Sequence, residues 1–296
     1  MTTKQVVVGY DGSEASKVAL TWGMRAAQAR GVSLVIAHAG YTPTGAIAGF
    51  VTLVDPDPAV LREADAEMLT AAAHEARREV PGVEVRTEAV AGPVVPVLLE
   101  LMAGAELAVV GCRGLGTFKE LLVGSTSLQL ASHIAGPLVV VRSTDYVEPG
   151  PEAGRVVVGI DGSSGSSAAA GFAFEEASLR GCGLTALSAW ELPELHVYGW
   201  RPEIIQRMLA DEERQARQAL SESLAGWAEK YPAVDLRERL VRNEAAPALV
   251  TASAGAEVVV VGARGLGGFR SLLLGSVSHA VLHHAHSAVA VIRPAG

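Results

Sequence analysis

The feature that most constrains this 296-residue chain is a duplication. VVVGYDGSEAS (6–16) matches VVVGIDGSSGS (156–166) at a shift of 150 residues, and VVGCRGLGTFKELLVGSTS (109–127) matches VVGARGLGGFRSLLLGSVS (260–278) at a shift of 151. The closing runs LVVVR (138–142) and VAVIR (289–293) match as well. Solenoid units are roughly 20–50 residues long, so copies of this length must each fold as a domain, and each is long enough to bury its own core. The chain therefore divides into domains at 1–144 and 155–296, with a linker at 145–154 where Pro149, Gly150 and Pro151 cluster.

Within each copy, short apolar runs alternate with helical patterns. VVVG is of strand type and ends in a polar DGS turn. Ser13 is placed to cap a helix with Val18, Ala19, Trp22 and Ala26 on its apolar face, and Gly31 to stop it. SLVIAHA (33–39), VEVRTEAV (83–90), LAVVG (107–111) and LVVVR follow as strands, with a polar helix near 59–79 and an apolar one at 94–103 between them. The second copy repeats the order with LTALSAW, LRERLV, VVVVG and VAVIR, and ADEERQARQALSESL (210–224) reads as a solvated helix face. Continuous apolar strands separated by helices predict an α/β fold class: two tandem doubly wound domains, each with a five-stranded parallel sheet flanked by helices. Ligands of such folds bind beyond the carboxyl ends of the strands.

The duplicated loop falls at those ends. Its pattern is Gly111-x-x-Gly114, nine residues, then Gly124-Ser125, and again Gly262-x-x-Gly265, nine residues, then Gly275-Ser276. Glycine at a strand end lets the backbone come close to an anion. Residues 124–127 and 275–278 open a helix, whose free N–H groups and positive dipole end favour phosphate. The hydroxyls of Ser125, Thr126 and Ser127 add donors, and Arg113 and Arg264 each add a cation. Thr126 becomes Val277 in the second copy, which loses one hydroxyl but no backbone donor. Asp11 and Asp161 end the first strands, where a carboxylate can accept from ribose hydroxyls or from the amino group of a base. Ala39 and Ala189, each 28 residues further on, leave room for a flat base against the backbone. Alone, Gly-x-x-Gly or Asp-Gly-Ser is more often a turn or a cap; fixed order and duplication turn the balance toward a nucleotide site. No G-x-x-x-x-G-K-[ST] occurs, so this is not a P-loop NTPase. No G-x-G-x-x-G follows the first strand, which argues against a dinucleotide dehydrogenase.

The formal net charge is −8, with both halves acidic, which argues against nucleic acid and anionic membrane surfaces as partners. The N-terminus lacks the apolar core of a signal peptide, no apolar run is long enough to span a bilayer, and the two cysteines occupy unrelated places. A cytoplasmic protein without a disulfide framework is expected. Cys112 lies in the loop, but its counterpart is Ala263, so it reads as packing rather than a catalytic thiol. His279, His283 and His286 fall at i, i+4 and i+7 on one helical face. No carboxylate or cysteine joins them, and Leu128, Ser132 and Ala135 replace them in the first copy, so no metal site is expected. The dissimilar stretches 40–58 and 191–203 read as loops over the nucleotide, with Trp190, Tyr198 and Trp200 as candidates for packing or partner contact.

The two glycine signatures, with VVVGYDGS and VVVGIDGS, resemble the universal stress protein family in its tandem-domain form, over essentially the whole chain. The resemblance implies a Rossmann-like, adenine nucleotide alpha hydrolase-like fold and the branch of the family that binds ATP. It implies ATP contacts from Gly9, Asp11, Gly12, Ala39, Val110, Gly111, Arg113, Gly114, Gly124, Ser125, Thr126 and Ser127 in the first copy. In the second it implies Gly159, Asp161, Gly162, Ala189, Val261, Gly262, Arg264, Gly265, Gly275, Ser276, Val277 and Ser278. It also implies magnesium accompanying the nucleotide without dedicated protein ligands, and a homodimer or an intrachain pseudo-dimer through the last strands. The role implied is regulatory, in stress response, with nucleotide occupancy setting the surface offered to an unidentified protein partner. Alternatives are a slow ATPase or adenylate-transferring enzyme of the same fold, and a flavoprotein subunit of the electron-transfer type. No Ser/His/Asp set or paired carboxylates stand beside the loop, and Lys119 is matched by Arg270, so no catalytic residue is assigned.

Overall fold

The computed structural model describes residues 4–40, 58–112, 123–142, 148–190, 201–242, 244–266 and 273–294. The chain divides into two compact units, Met1–Ser143 and Thr144–Gly296. The first runs β1(Gln5–Gly9), α1(Glu14–Arg30), β2(Ser33–Gly40), α2(Pro58–Glu79), β3(Val85–Ala91), α3(Val94–Leu101), β4(Leu107–Gly111), α4(Ser125–His133), β5(Leu138–Val141). The second repeats it as β6(Val156–Gly159), α5(Ser164–Arg180), β7(Leu184–Ala189), α6(Pro202–Lys230), β8(Leu236–Val241), α7(Ala245–Ala252), β9(Val258–Gly262), α8(Ser276–His284), β10(Val289–Ile292).

Strands pair in parallel as β3-β2-β1-β4-β5 in the first unit and as β8-β7-β6-β9-β10 in the second. Each unit is thus the doubly wound, five-stranded α/β fold that the alternating pattern predicts. The central strands are valine runs with both faces covered: Val6, Val7 and Val8 of β1, and Val156, Val157 and Val158 of β6, are fully buried. The outer strands β3 and β8 instead carry exposed charge at Arg86, Glu88, Arg237 and Glu238, which discourages pairing with other chains. In each unit the winding direction reverses between the first strand and the fourth, which opens a crevice at the carboxyl ends of β1 and β4, and of β6 and β9.

Two matched helices set the floor of these crevices. Ser13 caps α1 by accepting from Ser16 N at 3.2 Å, and Gly31 ends it at φ 65°. Ser163 and Gly181 do the same for α5. The buried face of α1 differs from the one predicted, because Val18 is 37% exposed, while Ala15, Leu20, Gly23, Met24 and Ala27 join Ala19 and Ala26 inside. Gly23 explains the rotation: a Cβ there would overlap Val8 Cγ2, so the helix lies closest to the sheet at Gly23 and Val18 turns outward.

Residues 148–154, assigned by composition to a linker, pack on the second unit. Gly150 N donates to Ala254 O at 2.9 Å, Gly154 N donates to Gly255 O at 2.9 Å, and Glu152 is buried. The histidine triplet also departs from expectation. Helix α8 ends at His284 and Ala285 is extended, so His286 leaves the helical face and its N–H donates to Ser253 Oγ. His279 and His283 remain together, ring centroids 4.5 Å apart. Among the described residues no helix is long and apolar enough to cross a membrane.

Candidate functional site

In the second unit a cleft of about 490 Å³ opens at the β6/β9 reversal, a size typical of small-molecule sites. Of the residues expected there, Gly159, Asp161, Ala189, Val261, Gly262, Arg264, Gly265, Gly275, Ser276, Val277 and Ser278 line it. Gly162 does not; at φ 81° it makes the turn that carries Asp161 to the cleft. Ile160, Ser166, Leu187, Ala245, Leu249 and Leu266 complete the wall. Ala245 and Leu249 stand four residues apart in AAPALVTA, the sequence of α7, and so share a face of that helix.

Asp161 ties two limbs of the site together. Its Oδ1 accepts from Ser163 N at 3.0 Å and its Oδ2 from Leu266 N at 3.1 Å, across 105 residues. The side chain is exposed on one side. Desolvation of the other side alone would raise its pKa. Hydrogen bonds from Ser163, Ser166 and the Leu266 backbone outweigh that and hold the carboxyl below the usual carboxylate range. A folded-state pKa below the unfolded one means that the ionised group stabilises the fold above the unfolded value, and that this is lost as pH falls through the folded value. The stability gap between wild type and Asp161→Asn is therefore expected to be full near pH 7 and to close below roughly pH 4. Urea denaturation at both pH values checks it; a gap independent of pH would remove the role given to these bonds. In the first unit Asp11 Oδ1 accepts from Ser13 N at 3.0 Å and from Ser13 Oγ at 2.5 Å, so each aspartate also organises the helix cap beside it.

The strand-end glycines have a different reason from the one the motif suggests. A Cβ on Gly262 would lie 2.7 Å from the carbonyl carbon of Gly165, and one on Gly111 2.7 Å from that of Ala15. They are bare because the first turn of α5, or α1, crosses directly over them. Gly265 differs: a Cβ there would overlap Asp161 Oδ2.

The helix-opening serines also divide. Ser127 Oγ donates to Gly111 O at 2.8 Å and Ser278 Oγ to Gly262 O at 2.6 Å, both side chains buried. These hydroxyls brace helix start to strand end, so the donor role expected of the Ser127 hydroxyl is not available to a ligand. Gly124 and Gly275 precede α4 and α8 without a side-chain cap, which leaves the first main-chain N–H groups of each helix to solvent or ligand. Arg264 is exposed at the cleft.

In the first unit Gly9, Asp11, Gly12, Ala39, Val110, Gly111, Gly124, Ser125, Thr126 and Ser127 occupy the matching ends of β1, β2 and β4 and the start of α4. Arg113 and Gly114 lie outside the described residues, as do Tyr198 and Trp200; Trp190 lies under the Arg242 guanidinium, 5.8 Å from its ring centroid. One group here escaped the sequence reading. His38 Nδ1 donates to Tyr10 O at 2.7 Å, and its Nε2 stands 3.3 Å from Asp65 on α2. The repeat has Ser188 in its place, so duplication gave no cue.

The universal stress protein family model matches residues 2–142 and again 152–293. Two universal stress proteins of Mycobacterium tuberculosis are similar over nearly full length. One is 37% identical over 97% of this chain and 96% of its own, the other 38% identical over the same shares. A solved universal stress protein from Archaeoglobus fulgidus, at 18% identity, covers 100% of both chains with a TM-score of 0.66 and shares the fold. With one family match on each of its two units, the chain belongs to the universal stress protein family, in tandem-domain form.

Proposed function

We propose that this chain is an ATP-binding universal stress protein with one nucleotide site per unit, a regulatory stress-response protein whose surface is set by nucleotide occupancy. The observation that carries the reading is convergence: a carboxylate, a small strand-end residue, an exposed arginine and an uncapped helix start, far apart in sequence, line one cleft. The triphosphate would lie against Arg264 and the first N–H groups of α8, which together offer charge and directed donors. Asp161 would accept from ribose hydroxyls, and the base would lie against β7 at Ala189. The residues fit such a ligand in size and polarity. Among the described residues no cluster of three or more His, Cys, Asp or Glu could hold a metal, so magnesium would arrive on the phosphates.

Binding rather than turnover is the stronger reading. Asp161, the carboxylate in the cleft, is held below the usual range by N–H and O–H donors, which makes it a weak general base. Occupancy by ATP would add contacts at Arg264, Gly265 and the start of α8 and so change the surface offered to a protein partner. Cytoplasmic residence and self-association belong to the same reading and rest on the family resemblance. The test is calorimetric titration of ATP into nucleotide-stripped protein. One ATP per unit is expected; no heat of binding at millimolar ATP overturns the proposal.

A further inference from the structure

The glycine loop of the second unit is closed by a ring of contacts. Ala263 N donates to Ile292 O at 2.8 Å, and Gly275 N donates to Ala263 O at 2.8 Å. Those two bonds join the outgoing limb of the loop to the end of β10 and the return limb to the outgoing one. Arg293, the first residue after β10, supplies the third: its Nη2 donates to Leu273 O at 3.0 Å, on the return limb two residues before Gly275. The strand register sets Ile292 beside Gly262, so Arg293 stands at the same end of the sheet as Arg264, which lines the cleft.

We propose that Arg293 is a positioning residue for this site: it latches the return limb of the glycine loop to the end of β10 and, with Arg264, biases the cleft toward a nucleoside polyphosphate over a monophosphate. The inference rests on the nucleotide reading of the cleft. The latch determines where Gly275 sits, and Gly275 determines where the first N–H groups of α8 point. A guanidinium suits this because its planar fork can hold a carbonyl with one edge and keep its full charge. The strand register puts Arg293 at the same sheet end as Arg264, where two like charges repel, and partial burial, then the charge of Arg264, holds the Arg293 pKa below the usual arginine value. An anion brought between or beside them relieves that repulsion, and each added phosphate charge gains more from the pair than from one arginine. The repeat has an arginine at the matching place. Arg142 follows β5, where Cys112 N donates to Val141 O at 2.7 Å and Gly124 N to Cys112 O at 2.7 Å.

The test uses the full chain with both repeats changed, so that both sites respond alike. In Arg142→Gln/Arg293→Gln, the Kd for ATP is expected to rise about tenfold or more while that for AMP changes less than about twofold, and hydrogen exchange at 262–266 and 273–278 of nucleotide-free protein is expected to rise. Arg142→Lys/Arg293→Lys keeps the charge without the fork. It should retain most of the preference for ATP while its loop still exchanges faster. An ATP-to-AMP affinity ratio unchanged in the glutamine variant, or equal losses for both nucleotides, overturns the preference. Unchanged exchange overturns the latch. A wild type that binds neither nucleotide overturns the reading of the cleft and the preference together. That result is distinct from a wild type that binds both with a ratio the variants do not move. Should the glutamine variant fail to fold, Arg142→Met/Arg293→Met, which keeps the long apolar stem without the charge, carries the same comparison of ATP with AMP.

Discussion

Arg155→Leu is expected to destabilise the second unit by about 3 kcal/mol, the cost of removing a buried guanidinium that holds several hydrogen bonds at once. Arg155 is 7% exposed and sits at the start of β6, the end of the sheet away from the cleft. Its Nε donates to Thr185 Oγ1 at 3.0 Å, its Nη1 to Asp235 Oδ2 at 2.6 Å, and its Nη2 to Leu184 O at 2.8 Å and Asp235 O at 2.6 Å. Gly183 is bare beneath it, since a Cβ there would overlap the guanidinium. Thr185 in turn donates to Glu152 Oε2, and Glu152 Oε1 accepts from Arg239 Nη1 at 2.8 Å. Leucine fills part of the volume but removes a donor from the buried Leu184 carbonyl and from the buried Thr185 hydroxyl, which keeps its own bond to Glu152, at about 1–3 kcal/mol in all for groups left short of a partner. The cost stays low because Asp235 is well exposed and water can replace its partner. The Arg155 side-chain hydrogen bond, then its charge, holds the Asp235 carboxyl below the usual range, so Asp235 should titrate at a higher pH in the variant. Urea denaturation followed by circular dichroism measures the loss. A cost under about 1 kcal/mol would show that hydrophobic packing alone holds this corner. The matching residue of the first unit, Gln5, makes one exposed contact, accepting from Arg86 at 3.2 Å, and Gln5→Leu is expected within about 0.5 kcal/mol of wild type.

That contrast shows what the sequence could and could not reveal. Duplication identifies whatever both halves share: the valine strands, the Ser13 and Ser163 caps, the Gly31 and Gly181 stops, and the loop and helix start that meet at the cleft. It is blind to what one half has alone. Glu152, Arg155, Thr185 and Asp235 form a network of residues distant in sequence that has no echo at Gln5, and its first member lies in a stretch whose prolines and glycines suggest only a linker. His38 with Asp65 is hidden for the same reason. A shared residue can also carry a shared position and a different cause. Gly111 and Gly262 are where an anion-binding loop needs glycine, yet a crossing helix backbone already forbids a side chain there. Ser127 and Ser278 are where phosphate donors belong, yet their hydroxyls hold strand carbonyls. Pattern locates such residues; only packing distinguishes ligand contact from scaffold.

At Gly265 the two causes coincide, so Gly265→Ala is expected to weaken ATP at the second site tenfold to a hundredfold, about 1.4–2.8 kcal/mol. The added methyl would overlap Asp161 Oδ2, the oxygen that accepts from Leu266 N. Either the carboxylate swings away, losing that bond and its place in the cleft, or the loop moves out and takes Arg264 with it. Each route disturbs groups assigned to the nucleotide while leaving the sheet intact, so the melting temperature should change little beside the affinity. Calorimetry should then resolve an unchanged site and a weakened one in the same chain. A double-mutant cycle identifies the route. If the methyl acts by displacing the carboxylate, adding Asp161→Ala to Gly265→Ala should cost little further affinity, because the contact is already lost. Fully additive losses would mean that Asp161 still holds its ligand in the Gly265→Ala protein and that the loop, carrying Arg264, has moved instead, whereas an ATP affinity unchanged in Gly265→Ala would show that the coupling between carboxylate and loop on which this site is built is wrong.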